Sequence, residues 1–199
     1  TFSEYNDELD KNFTFNTGIG KNRDGIFLTK IPKNIQRLEK IKNQYALIYV
    51  AQSLNNVDKC ILSFVEMISK KYYQNIKKLD IVIPKWFEDE DMDYEIKKKI
   101  SKYYPYIIIK TSSGKEIVIS NKDSRNILTF RCDILPVPNK EMISLMKYSI
   151  DDILLTGDQS ITDALSCCSD KNIFYQIAPW KEDLGKSLAK ELPNKYLKS

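Results

Sequence analysis

Thr156-Gly157-Asp158-Gln159-Ser160 stands directly after a short apolar run, Asp152 to Thr156, and before the apolar positions Ile161, Ala164 and Leu165. This is the order of a strand end, a turn and a helix start. Gly157 permits close approach of a ligand to the backbone, and Ser160 suits the cap of the helix that follows. The N–H groups and positive end of that helix favour an anion such as a diphosphate. The plainer alternative is an ordinary strand-to-helix turn closed by a serine cap. Two other polar pairs occupy the same kind of position: Gln52-Ser53 after the run Tyr45 to Val50, and Lys85-Trp86 after Leu79 to Ile83. Trp180 follows Ile173 to Gln176 and Pro179, where an indole either covers the core or offers a face to a sugar or base.

Several chemistries are excluded at once. The chain contains no histidine, which removes Ser-His-Asp and Cys-His nucleophilic catalysis and His-ligated zinc. Its 4 cysteines, Cys60, Cys132, Cys167 and Cys168, show no CxxC spacing, so neither a zinc site nor a disulfide framework is indicated. A reducing compartment, the cytoplasm, is the expected location, and neither a metal nor an organic cofactor is called for. With 31 basic and 27 acidic residues the net charge is +4, a mild excess that suits an anionic ligand better than nucleic acid. Lysines outnumber arginines heavily, which favours diffuse charge over bidentate phosphate forks. No apolar run approaches the ~20 residues of a membrane-spanning helix.

These candidate loops need a scaffold, and the hydrophobic pattern supplies one. Tyr45 to Val50 reads as a strand, and the stripe Val57, Cys60, Ile61, Phe64, Val65, Ile68 as an amphipathic helix after Asn55 or Asn56. Leu79 to Ile83 is a second strand, Tyr94 to Tyr103 a helix, and Tyr106 to Ile109 a third strand. Glu116 to Ile119 reads as a hairpin partner or an edge cover, and Ile127 to Phe130 as a further short strand. Met142 to Met146 suggests a helix, Asp152 to Thr156 a buried strand, Ser160 onward a helix, Ile173 to Gln176 a strand and Trp180 to Leu192 a closing helix. Strands alternating with helices specify a doubly wound α/β domain, Rossmann-like, with a mainly parallel sheet and helices on both faces. The expected organisation is an extended lead-in over 1–34 and one α/β domain over 35–199. The polar start from Thr1 leaves room for a processed or trimmed piece of a longer protein.

Other stretches carry weaker signals. Gly18 to Gly25 presents Lys21 and Arg23 between glycines, but it lacks the GxxxxGK[ST] spacing and follows no strand, so a surface loop outweighs a phosphate cradle. The acidic run Glu88 to Asp93 lacks EF-hand spacing and reads as a solvated loop before a helix. Lys70-Lys71-Tyr72-Tyr73, continuing to Lys77-Lys78, could bind single-stranded nucleic acid. At a helix C-terminus, however, lysines are expected on dipole grounds alone, and nucleic acid ranks last among the partners.

Between Pro136 and Leu192 the order of elements resembles the C-terminal, donor-binding half of a two-Rossmann-domain, B-type glycosyltransferase. The resemblance lies in a short helix (Met142 to Met146), an acidic-start strand (Ile150 to Thr156), and a Gly/Ser loop with an acidic-plus-small step (Asp163-Ala164-Leu165). The family's next strand and its loop correspond to Lys171 to Pro179. Asp163 stands where the family usually has Glu, and Asp158-Gln159 where a second small residue is commoner. The resemblance implies recognition of a nucleoside-diphosphate sugar and transfer of the sugar to an unknown acceptor, a glycan or a protein. It further implies that Gly157 to Ser160 and Gln52-Ser53 approach the diphosphate, Asp163 the ribose, and Lys85 with Trp86 the base, with Lys21 and Arg23 near the phosphates. The competing class is a non-catalytic α/β module that responds to nucleotides or binds a protein.

Overall fold

Four consecutive residues, Tyr45, Ala46, Leu47 and Ile48, are wholly buried. Successive side chains on a strand point to opposite faces, so such a run is possible only where both faces are covered. A computed structural model describes residues 32–178, Lys30, and the two-residue strands β1 (Asp7–Glu8) and β2 (Thr14–Phe15), which pair antiparallel. The remaining elements are β3 (Gln44–Tyr49), α1 (Val57–Tyr72), β4 (Lys78–Val82), a 3-10 turn (Lys85–Asp89), α2 (Asp93–Ile100), β5 (Tyr106–Lys110), β6 (Glu116–Asn121) and β7 (Ile127–Arg131). They are followed by α3 (Asn139–Tyr148), β8 (Asp152–Leu155), α4 (Asp158–Cys167) and β9 (Asn172–Tyr175).

Strands β3 to β9 form one 7-stranded sheet in the order β6-β5-β7-β4-β3-β8-β9. Every pairing in it is parallel except β5 with β6. This is the Rossmann-like α/β architecture expected from the alternation of elements. The chain leaves β3 towards β4 on one side and later returns past β3 to β8 on the other. Crossovers of constant hand then place α1 and α2 on one face and α3 and α4 on the opposite face. Each face has its own core. Ala46, Ile48, Ile81, Leu128 and Phe130 pack under Ile61, Phe64, Ile68 and Ile96. Tyr45, Leu47, Val82, Ile153 and Leu155 pack under Leu145, Met146, Ile161 and Ala164.

Local chemistry explains the element ends. α1 buries Val57, Ile61, Leu62, Phe64, Val65 and Ile68 along one stripe and carries Lys70 and Lys71 in its last turn, against the negative end of its dipole. Ile68 is fully buried, so truncation to Ala should cost about 2–5 kcal/mol. The Asn126 amide donates to the carbonyl oxygens of Tyr73 and Tyr103, closing the chain beyond α1 and α2 together. The residues entering β3 are tied to α3, since Ser144 donates to the Gln36 carbonyl and the Tyr148 hydroxyl to that of Ile35.

The middle of the chain takes a course that local pattern leaves open. β7 does not add outside β5 but inserts between β4 and β5, parallel to both, while the β5–β6 hairpin occupies the edge. Leu128 and Phe130 are fully buried there, and the Phe130 ring stacks on Phe87 of the 3-10 turn at 5.0 Å.

Candidate functional site

In an open α/β sheet the crevice lies outside the carboxyl ends of the two strands at which the chain reverses its direction of winding. Those strands are β3 and β8. They are paired through Leu47 with Ile153, Ile48 with Leu154 and Tyr49 with Leu155, and the Thr156 N–H donates to the Tyr49 carbonyl at 2.8 Å. α1 opens from the loop after β3 and α4 from the loop after β8, on opposite faces of the sheet. Among the described residues no side chain caps either helix. The residues before them are Asn56 at φ 57° and Gly157 at φ 99°. Among the described residues nothing lies within 4 Å of where a Cβ at Gly157 would project.

Two of the sequence-derived loops therefore follow neighbouring strands here. Gln52 and Ser53 are exposed beyond β3, and Gly157, Gln159 and Ser160 lie beyond β8. Asp158 is the first residue of α4. Ser160 differs from its expected role: the helix starts earlier, Gly157 is the N-cap, and Ser160 sits inside the first turn, 8% exposed. Asp163 is 1% exposed, and its carboxylate accepts from the Asn139 amide and the Gln159 amide, each at 2.8 Å. It ties the start of α3 to the middle of α4 and holds Gln159 one turn earlier on the same helix.

Lys85 is exposed and Trp86 packs half-buried against the first core. They follow β4, one strand further from Gly157 than β3, so about 10 Å separates the two strand lines. Gln52 links the two regions by donating to the Glu90 carboxylate at 2.9 Å. The acidic run is partly engaged, with Glu88 accepting from the Ser112 N–H and hydroxyl. Lys21, Arg23, Trp180 and the expected closing helix lie outside the described residues.

Electrostatics set what the region can do. The four cysteines are free thiols. Burial, with Glu88 and Asp133 adding to it, pushes Cys132 up to about 12. Burial and the neighbouring Cys167 push Cys168 up to about 12, and burial raises Cys60 and Cys167 too. None is a thiolate nucleophile near neutral pH. Among the described residues no three His, Cys, Asp or Glu side chains converge as metal ligands would. Near the crevice, the buried Oγ1 of Thr156 and Oε1 of Gln176 have no hydrogen-bond partner among the described residues. They follow the paired strand ends Leu155 and Tyr175 and are adjacent in register.

Sequence reasoning passed over Tyr49. It lies in the apolar run that becomes β3, yet the residue is 37% exposed at the strand's carboxyl end. Alternation from Tyr45 and Leu47 places it on the α3/α4 face, and that alternation was the available signal.

Compared with protein-family models, curated proteins and solved structures, the chain has no match. The class that the fold and crevice define is a Rossmann-like α/β protein. No helix among its described residues is long and apolar enough to cross a membrane.

Proposed function

We propose that the β3/β8 crevice binds the diphosphate of a nucleoside-diphosphate sugar and that the chain is the donor-binding unit of a glycosyltransferase. The carrying observation is Gly157. It sits at the topological switch point at φ 99° and opens a 10-residue helix, and among the described residues no side chain caps that helix and nothing fills the space where a side chain would project. A helix start of this kind presents N–H groups and a positive dipole to an anion. In glycosyl transfer the bond from the anomeric carbon to the diphosphate breaks through an oxocarbenium-like transition state. Donors fixed at the leaving oxygen stabilise the charge that develops there. The unpartnered oxygens of Thr156 and Gln176 add polar capacity beside the same edge.

Thermal unfolding with UDP-, GDP- and ADP-sugars tests this reading. A ligand at about 100 times its Kd adds about 2.7 kcal/mol, which for a chain of this size raises Tm by about 5–10 °C. If no member of the panel at millimolar concentration shifts Tm, the donor-site reading fails, and a protein-interaction module takes its place.

A further inference from the structure

We propose that Tyr49 is the platform on which the planar base of the nucleotide stacks. This inference rests on the crevice being a nucleotide site and adds to it a residue that sets the ligand class.

The argument begins with two tyrosines on one strand face. Tyr45 and Tyr49 are four residues apart, so alternation places both rings on the α3/α4 side of the sheet. Tyr45 is fully buried, its hydroxyl donates to the Leu145 carbonyl in α3, and the Arg37 guanidinium lies 5.6 Å from its ring centroid. Tyr49 is 37% exposed, and its hydroxyl and ring have no hydrogen-bond or ring partner among the described residues. The difference is positional: Tyr49 stands at the carboxyl end of β3, at the crevice.

Its neighbours are those a nucleotide would meet. The Tyr49 carbonyl accepts the Thr156 N–H, which locks this residue to the loop that carries Gly157. From strand spacing and rise, the Cα atoms of Tyr49 and Gly157 are about 8 Å apart. A phosphate at Gly157 and a base over Tyr49 would then be separated by about the span of a ribose. On the same face hydrogen bonds from Asn139 and Gln159 to Asp163 tie the start of α3 to α4. Tyr49 is among the exposed large hydrophobic residues, a phenol ring combines a flat apolar face with a polar tip, and aromatic faces accept bases through stacking with little dependence on base identity. The site should therefore prefer nucleotides over simple phosphates while discriminating weakly among bases through this ring.

Calorimetric titration of the full chain with UDP, GDP, ADP and inorganic pyrophosphate separates the possibilities. Tyr49→Ala should weaken the tightest nucleoside diphosphate by about 5- to 150-fold. It should leave pyrophosphate within about twofold, and Tyr49→Phe should retain nucleotide affinity, the ring face being kept. Unchanged nucleotide affinity in Tyr49→Ala overturns the stacking role alone. Equal weakening of nucleotide and pyrophosphate also overturns it, because the residue then acts only by shaping the loop. Wild-type protein that binds pyrophosphate as tightly as nucleotides keeps an anion site but has no base platform. Absence of any nucleotide binding overturns this proposal together with the donor-site reading.

Discussion

The guanidinium of Arg131 reaches from β7 to the carboxylate of Asp80 on the adjacent parallel strand β4, Nη1 to Oδ2 at 3.2 Å, with the two side chains 10% and 3% exposed. The same guanidinium grips Asp133 through Nε at 2.7 Å and Nη2 at 2.9 Å and donates to the Lys40 carbonyl. Asn43 completes the group by donating to Asp80 at 3.0 Å. One side chain thereby ties two central strands to the segment entering β3 and to the loop leading to α3. Burial opposes ionisation of Asp133, but the hydrogen bonds and charge of Arg131 outweigh it and hold the carboxyl below the usual range.

Removing the cation should be worse than removing one anion. Arg131→Met removes the cation that Asp80 and Asp133 share, leaving as side-chain partners among the described residues only the Asn43 amide for Asp80 and the Lys110 ammonium at 3.9 Å for Asp133, and is expected to cost about 3 kcal/mol. Asp80→Asn should cost less, because Arg131 keeps Asp133. Pairing Arg131→Met with Asp80→Leu should recover part of the loss. Urea unfolding of the three variants measures this, and a cost below about 1 kcal/mol for Arg131→Met would show the network to be dispensable.

Asp152 should make the fold acid-sensitive. Its carboxylate is nearly buried and accepts from the Tyr72 hydroxyl at 2.6 Å, the Asn172 amide at 2.9 Å and the Lys71 ammonium. Burial opposes its ionisation, yet these bonds prevail and lower its pKa. A carboxyl more acidic when folded contributes stability above its unfolded pKa of about 3.9 and loses it as pH falls through the folded value. Asp152→Asn should cost about 1–3 kcal/mol near neutral pH. It should also flatten the fall of unfolding free energy below pH 4; an unaltered pH profile would remove Asp152 from the acid response.

At Gly157 a side chain has room but an unfavourable backbone. Gly157→Val should lose about 1–3 kcal/mol from strain at φ 99°, keep its circular dichroism spectrum, and lose nucleotide-sugar affinity because the side chain fills the approach. Ser160→Ala, within the first turn rather than at the cap, should lose less than the ~1 kcal/mol typical of a removed cap. Gly157→Val that folds and binds normally would make the loop purely structural.

Thiol labelling gives an independent check on the two cores. Cys132 and Cys168 are fully buried, and each is pushed up to about 12, so a disulfide reagent at pH 8 should modify them only on unfolding. Cys60 and Cys167 are partly exposed and should react slowly in the native state. Rapid native labelling of all four would contradict the packing of both faces.

Element type and fold class were legible in the chain itself. Parallel strands buried on both faces leave continuous apolar runs such as Ala46 to Ile48, and helices over them leave the Val57-to-Ile68 stripe, because period and burial are local properties of a sequence. The loop at Gly157 was legible for the same reason: strand end, glycine and helix start adjoin along the chain. Tertiary structure alone decided what depends on partners distant in sequence. The insertion of β7 between β4 and β5, the Arg131–Asp80 pair, 51 residues apart, and the bond of Asp163 to Asn139, 24 residues apart, are of this kind. So is the exposure of Tyr49 beside a buried Tyr45. A residue's own type sets which face and which bonds it can take, but strand order and helix placement determine whether a charged or aromatic group meets a partner, water or an open crevice.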